Sequence, residues 1–134
     1  MISGSKEAVL GKSIIMHVDE APVVKGKLTP AGKPIRNGRQ FIGDLQEGPW
    51  INIHGQEPGL VVHSHSHDLD EVLLILEGDL LLGERTCGPG TVIYNEAHTE
   101  YGFTVGEKGV RFLRVQGGPN AIRFSGSPEY ESRP

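Results

Sequence analysis

Short apolar runs separated by glycine- or proline-containing turns follow one another along most of the 134-residue chain. The 19 glycines and 9 prolines place a turn roughly every ten residues. No window of about twelve residues carries the 3.6-residue apolar repeat of an amphipathic helix. This pattern predicts an all-β sandwich or barrel in which helix is a minor component.

The apolar runs predict a series of strands within a single domain. Residues 1–40 would form an N-terminal arm that includes the polar segment 25–38, residues 41–124 the barrel, and residues 125–134 a loose tail. Tight turns are expected at the glycine-containing segments 77–79 and 106–109. The predicted strands are 14–18 (continued or followed by 23–24), 41–43, 50–54, 59–67, 71–76, 80–82, 91–94, 101–105, 110–115 and 121–124.

Composition narrows the classes of partner. The chain carries 13 basic and 17 acidic residues, for a net charge of −4, with no block of Lys or Arg. We therefore expect no nucleic-acid partner and no membrane surface. No apolar run is long enough to span a membrane, residues 1–20 lack a signal-peptide core, and Cys87 has no second cysteine to pair with. These features predict a cytoplasmic protein.

One histidine-rich tract is a candidate for metal chemistry. Alternate side chains of a strand share a face, so His63, His65 and His67 are expected to point the same way. Glu71 follows after a short turn and can fold back beside the histidines. Imidazoles and a carboxylate in an apolar barrel suit a divalent transition metal: iron, manganese, nickel, zinc or copper. The alternative, a solvated histidine-rich loop, is disfavoured by the apolar residues on both sides.

The spacing within this tract resembles the first motif of the cupin family. The sequence has Gly59, five residues, His65-Ser66-His67, three residues, Glu71, six residues and Gly78. The resemblance covers about residues 50–116 and implies a double-stranded β-helix, or jelly-roll, barrel. It also implies that His65, His67 and Glu71 are metal ligands. The additional His63 is expected to contact the substrate or to orient a ligand.

The second cupin motif is altered in this chain. After Gly90, the positions of the motif's proline, glycine, histidine and asparagine hold Glu96, His98, Tyr101 and Val105. Tyr101 therefore stands where the resemblance places a fourth ligand. Three interpretations remain open: Tyr101 ligates the metal or acts beside it as an acid/base group, His98 supplies the missing imidazole, or the site has three protein ligands and Tyr101 only packs.

Other side chains are candidates for the wall of a pocket. Trp50 and Phe103 are expected to belong to the core or to the substrate-binding wall, and His98 to lie at the rim. Asn52 and His54 share a face of a neighbouring strand and are candidates for the pocket.

Two arginines compete for one interior position. Arg111 and Arg114 lie on opposite faces of one predicted strand, so at most one of them points inward. An interior arginine would be suited to anchor a substrate carboxylate, whereas the default is a surface salt bridge.

Two functions follow from the resemblance. The first is a metal-dependent enzyme acting on a small organic substrate, of the iron dioxygenase, lyase or isomerase type, with Tyr101 and Glu71 as catalytic residues. The second is a non-catalytic barrel that binds or senses a small molecule; a relic barrel whose metal site is merely structural, and which has neither function, is a third interpretation. A homodimer is expected, since the apolar segment around residues 14–24 can cover the sheet edge of a second copy.

Overall fold

The computed structural model describes residues 11, 13–24, 28, 32, 39–44, 46–119 and 122–132. Apart from one 3₁₀ helix, Val18–Glu20, its regular elements are strands. The strands are β1 (Val23–Val24), β2 (Arg39–Gly43), β3 (Trp50–Gln56), β4 (Leu60–His67), β5 (Glu71–Leu82), β6 (Arg85–Cys87), β7 (Val92–Asn95), β8 (Tyr101–Gln116), β9 (Ile122–Phe124) and β10 (Tyr130–Ser132). The all-β prediction is confirmed, and no described helix has the length and apolarity needed to cross a membrane.

The 16-residue strand β8 pairs with three other strands, β3, β4 and β5. Its first part pairs with β4, and its last part pairs with β3. Along its other edge, β8 pairs with β5 from Leu81↔Thr104 to Glu71↔Gln116. Every pairing is antiparallel, and the strands follow the order β1-β2-β3-β8-β4-β10, with β5 bridging β6, β7 and β8 and with β9 on β4. The side chains of β3, β4, β5 and β8 therefore converge on one interior.

Alternation of side chains along these strands builds the core. On β5, Leu73, Ile75 and Leu80 are 1–2% exposed, whereas Val72 and Leu81 are exposed. Burying an aliphatic side chain of this size contributes about 1.5–3 kcal/mol. The apolar cluster is completed by Leu60, Val62, Cys87, Phe103, Val105, Val110, Phe112 and Tyr130. Cys87 is a buried residue at the end of β6.

The turns predicted at 77–79 and 106–109 are wrong, because both segments lie inside continuous strands. β5 runs through Gly78, which pairs with Val110 of β8. The register of β5 against β8 shifts between Ile75 and Glu77 and again between Gly78 and Leu80. These shifts are β-bulges on either side of Gly78. The real turn follows Leu82 and leads into β6.

The ends of the chain also differ from the prediction. Residues 14–17 form no strand; His17 caps the 3₁₀ helix through a reciprocal capping box with Glu20. The tail expected to be loose contains β10, which pairs with β4 and buries Tyr130. Most of the predicted polar loop 25–38 lies outside the described residues.

Gly78 provides a test of this packing. Its φ is +70°, and a Cβ at this position would overlap the carbonyl oxygen of Gly109 on the neighbouring strand. We expect Gly78→Ala to lower the free energy of unfolding by more than about 2 kcal/mol, since left-handed strain and a backbone clash add. Gly83→Ala is the matched control: its φ is +63° with open space around the added methyl, so it should cost only about 1–2 kcal/mol. Equal losses in urea denaturation would contradict this account.

Apolar side chains near the N-terminus are exposed beside a large groove. Ile14 is 65% exposed, Ile15 96% and Val23 60%. The groove has a volume of about 730 Å³, and its walls include Met16, Phe41 and other apolar side chains. β1 lies at one end of the strand order, so its outer edge has no partner among the described strands. An exposed apolar edge of this kind favours association with a second copy.

We therefore expect a homodimer that depends on this segment. Light scattering at micromolar concentration should give twice the chain mass for the full protein. Deletion of residues 1–24 should give a folded monomer, because the deletion removes the exposed apolar side chains of Ile14, Ile15 and Val23. A monomeric mass for the full chain, or a dimer that survives the deletion, would be incompatible with this interface.

Candidate functional site

Polar side chains from three strands meet inside the otherwise apolar barrel. β4 supplies His65 and His67, β5 begins with Glu71, and β8 supplies Tyr101 and Arg114. All of them are buried except Tyr101, which is half-buried. All of them except Glu71 line a cavity of about 30 Å³, a space on the order of one water molecule. Its polar lining consists of His54, Gln56, His65, His67, Tyr101 and Arg114.

The ring of His65 is oriented by its own strand. Its Nδ1 lies 2.8 Å from the carbonyl oxygen of His63. Because a carbonyl oxygen only accepts, Nδ1 carries the proton and Nε2 is the acceptor of the ring. Anchoring one nitrogen in this way is how metal-binding histidines are commonly held. The ring centroid lies 4.5 Å from that of Tyr101 and 5.1 Å from that of His67.

The carboxylate of Glu71 accepts hydrogen bonds from four side chains. Oε1 accepts from the Tyr101 hydroxyl and, at 3.2 Å, from Asn95 Nδ2. Oε2 accepts from Arg114 Nε at 2.9 Å and from Gln116 Nε2 at 3.4 Å. A carboxylate has about four lone-pair positions that can accept hydrogen bonds, so these four donors fill them. Glu71 is 1% exposed and is the centre of a closed polar network.

This network keeps Glu71 ionised. Burial by itself would raise the pKa of Glu71, because the charged form loses its hydration. The Arg114 guanidinium and the hydrogen bonds from Tyr101 and Asn95 outweigh burial and hold the pKa of this carboxyl below its ordinary value. Glu71 and Arg114 are therefore a buried ion pair.

Arg114 also contacts His67. Its Nη2 lies 3.4 Å from Nδ1 of the imidazole, which is a long hydrogen bond. A guanidinium has no acceptor, so Nδ1 must accept and the ring proton lies on Nε2. That nitrogen is 3.7 Å from Oε2 of Glu71. In this tautomer Nε2 of His67 faces the carboxylate as a donor.

The residues suit a divalent metal in kind but not in arrangement. Imidazole, carboxylate and phenol are donors that transition metals accept, and Nε2 of His65 has the right tautomer. However, Glu71 and His67 are both already bonded to Arg114. Within the described part of the chain, no group of three or more His, Cys, Asp or Glu side chains is placed to hold a metal ion. A metal would fit Glu71 only after one of its donors had moved.

Some predicted site residues lie away from the cavity. The β4–β8 pairing shifts register between Val62 and His65. The bulge breaks the alternation that was expected to align His63 with the other histidines. His63 is instead 39% exposed and lies 3.3 Å from Glu131 on β10. It does not line the cavity.

His98 and Trp50 also fail to reach the interior. His98 is exposed, with φ of 67°, and its backbone N–H donates to the His67 carbonyl at 2.8 Å. Trp50 packs edge-on against Phe41 of β2, with ring centroids 5.6 Å apart. Neither side chain lines the cavity, so their positions do not favour the substrate-binding roles expected for them.

Other expectations agree with the structure. Phe103 is buried and lines the cavity. Of the two arginines, Arg114 points inward, while Arg111 lies 3.6 Å from Glu77 at the surface. His54 is fully buried, stacks on Phe112 with centroids 5.2 Å apart, and lies 2.5 Å from Asn52 Oδ1.

The sequence analysis missed three polar residues of the interior. Asn95 and Gln116 donate to Glu71 from strands that are distant in sequence, and no local pattern identifies them. Gln56 continues the inward alternation of Asn52 and His54, so the same parity argument extends to it. Gln56 is 6% exposed, and its Oε1 is buried without a hydrogen-bond partner among the described residues. This oxygen is suited to accept from a water molecule or a ligand in the cavity.

Comparison by sequence finds no match, whereas comparison by structure finds proteins of similar fold. No protein-family model matches the chain. A search of curated proteins also returns no match.

Three solved structures illustrate the similarity. The polyketide cyclase RemF from Streptomyces resistomycificus has a TM-score of 0.65 at 18% identity, with 88% of this chain and 89% of that chain covered. An RmlC-like cupin protein from Ralstonia eutropha has a TM-score of 0.64 at 13% identity, covering 83% and 72%. A putative acetylacetone dioxygenase from Methylibium petroleiphilum has a TM-score of 0.64 at 15% identity, covering 92% and 88%. At these identities the likeness shows the fold alone: the chain folds as a cupin-like β-barrel, the fold that the resemblance of the first motif implies.

Proposed function

We propose that this chain is a metal-dependent cupin enzyme that acts on a small organic molecule, of the dioxygenase, lyase or isomerase type. The observation that supports the proposal is the convergence of His65, His67 and Tyr101 on one small cavity, with the Tyr101 hydroxyl donating a hydrogen bond to the buried carboxylate of Glu71. Enzymes among the structural neighbours are named as a cyclase and a putative dioxygenase. Open positions on a divalent metal would bind and polarise the substrate or oxygen.

In this proposal His65, His67 and Glu71 hold the metal, and Tyr101 stands beside it as ligand or acid/base group. The chain itself provides a proton-handling pair at this place. The Tyr101 hydroxyl donates a hydrogen bond to Oε1 of Glu71. Glu71 remains ionised because it is paired with Arg114. A proton taken from the phenol would therefore have an acceptor already in contact. Phe103 is buried and forms part of the apolar wall of the cavity that Tyr101 also lines.

A non-catalytic barrel that binds or senses a small molecule is the second candidate. Its support is the closed network around Glu71, in which the chain's own donors satisfy the carboxylate. A cavity of about 30 Å³ also leaves room only for a small group unless the barrel opens. Screening of oxygen uptake and of turnover over small carboxylates and diketones distinguishes an enzyme from such a binder.

The metal ligands are tested by substitution of the histidines. Protein purified without a histidine tag should contain one transition-metal ion per chain, with ligand distances of roughly 2.0–2.3 Å. The double variant His65→Ala with His67→Ala should lose the metal, because it removes both imidazoles. His63→Ala is the control and should retain it, since His63 lies at the surface beside Glu131. Undiminished metal in the double variant, measured by elemental analysis, would refute the ligand assignment.

The role of Tyr101 is tested by removing its oxygen alone. Tyr101→Phe keeps the ring contacts with His65 and Phe103. It removes the hydroxyl that donates to Glu71. We expect the variant to fold and to retain some metal while losing about 10²–10⁴-fold of whatever activity the screen finds. His98→Ala should have little effect on that activity. The reverse result, loss in His98→Ala alone, would show that His98 is the functional residue.

A further inference from the structure

Arg114 contacts two of the side chains that are predicted to be metal ligands. Its Nε lies 2.9 Å from Oε2 of Glu71, and its Nη2 lies 3.4 Å from Nδ1 of His67. The same guanidinium therefore contacts two of the three side chains that the motif assigns to the metal. Arg114 is 7% exposed and Glu71 is 1% exposed, so water screens this contact little.

A metal at Glu71 has to displace one of the present donors. Tyr101 and Asn95 occupy Oε1, whereas Arg114 and Gln116 occupy Oε2. Of these four, Arg114 is the one with a permanent positive charge. A divalent cation beside Glu71 would lie next to that charge in a buried site, where repulsion between like charges is strong. Arg114 is therefore the donor that a metal most disfavours.

The contact of Arg114 with His67 also opposes metal binding. While the guanidinium donates to Nδ1, the ring proton is held on Nε2, which lies 3.7 Å from Oε2 of Glu71. Withdrawal of Arg114 would allow the proton to move to Nδ1 and make Nε2 an acceptor. A single side chain thus opposes metal binding at both His67 and Glu71.

We propose that Arg114 and a divalent metal compete for Glu71, so that Arg114 sets the metal affinity of the site and leaves Glu71 when the metal binds. The inference rests on the proposed metal function. In this proposal Arg114 acts on the metal through Glu71 and His67, and it weakens metal binding. Removal of Arg114 should therefore strengthen metal binding, whereas removal of a residue that orients the ligands for the metal would weaken it.

The experiment is a titration of the metal-free full chain with Co²⁺, followed by calorimetry and by the visible absorption of the bound ion. Arg114→Gln should lower the Kd for Co²⁺ by at least about tenfold, since it removes the competing charge. Arg111→Gln is the matched control, because Arg111 lies on the same strand but at the surface, 3.6 Å from Glu77. It should leave the Kd unchanged. Adding Glu71→Gln to the Arg114→Gln variant should abolish the gain.

Loss of Arg114 leaves a buried carboxylate without its cation, which can prevent folding. A second measurement therefore uses the unaltered protein. The Nε–H resonance of Arg114 can be identified by NMR, because it is missing from the spectrum of the Arg114→Lys variant. In the metal-free chain this proton should exchange slowly with solvent, because it is hydrogen-bonded to Glu71. Saturation with Zn²⁺ should accelerate the exchange and shift the resonance.

The outcomes separate the two proposals. A folded Arg114→Gln variant with equal or weaker affinity, or an Nε–H resonance unchanged by bound Zn²⁺, overturns the competition while leaving the metal function intact. Binding of Co²⁺ by Arg114→Gln that is at least about tenfold tighter than by the unaltered chain supports the competition. Absence of binding in every variant overturns both proposals.

Discussion

The buried ion pair between Glu71 and Arg114 is the interaction on which the interior of this barrel depends. Either charge alone would be costly in a core otherwise formed by aliphatic and aromatic side chains, and removal of one partner of a buried pair typically costs about 3–5 kcal/mol. Together they allow the polar side chains of Tyr101, Asn95 and Gln116 to be satisfied around a single carboxylate. The pair thereby keeps one end of the barrel polar, close to the histidines of β4.

The sequence was sufficient to predict features that depend on local pattern. Strand content followed from short apolar runs between glycines and prolines, and the nearness of His67 and Glu71 followed from alternation plus a short turn. Arg114 was restricted to one of two faces without being assigned to either. Its contact with Glu71 depends on the pairing of β5 with β8, a long-range register that single-sequence patterns do not specify.

The errors of prediction also have a common physical origin. Glycine is compatible with a turn and with a bulge, and the neighbouring strand decides between them: Gly78 bends within β5 because the backbone of Gly109 lies against it. A bulge likewise removed His63 from the row of histidines. The tail was expected to be loose because it has little apolar pattern, yet pairing with the edge of β4 was enough to order Tyr130 there.

The length of β8 has a consequence for how this sequence can vary. Tyr101 at one end of the strand and Arg114 near the other both bond to the same carboxylate, although the strand first follows β4 and then β3. The residues between them therefore act as a spacer of fixed length. An insertion or deletion of one residue would turn one of these two side chains to the outer face of the sheet. Among related sequences, changes in chain length should be absent from this strand and confined to the connections outside it.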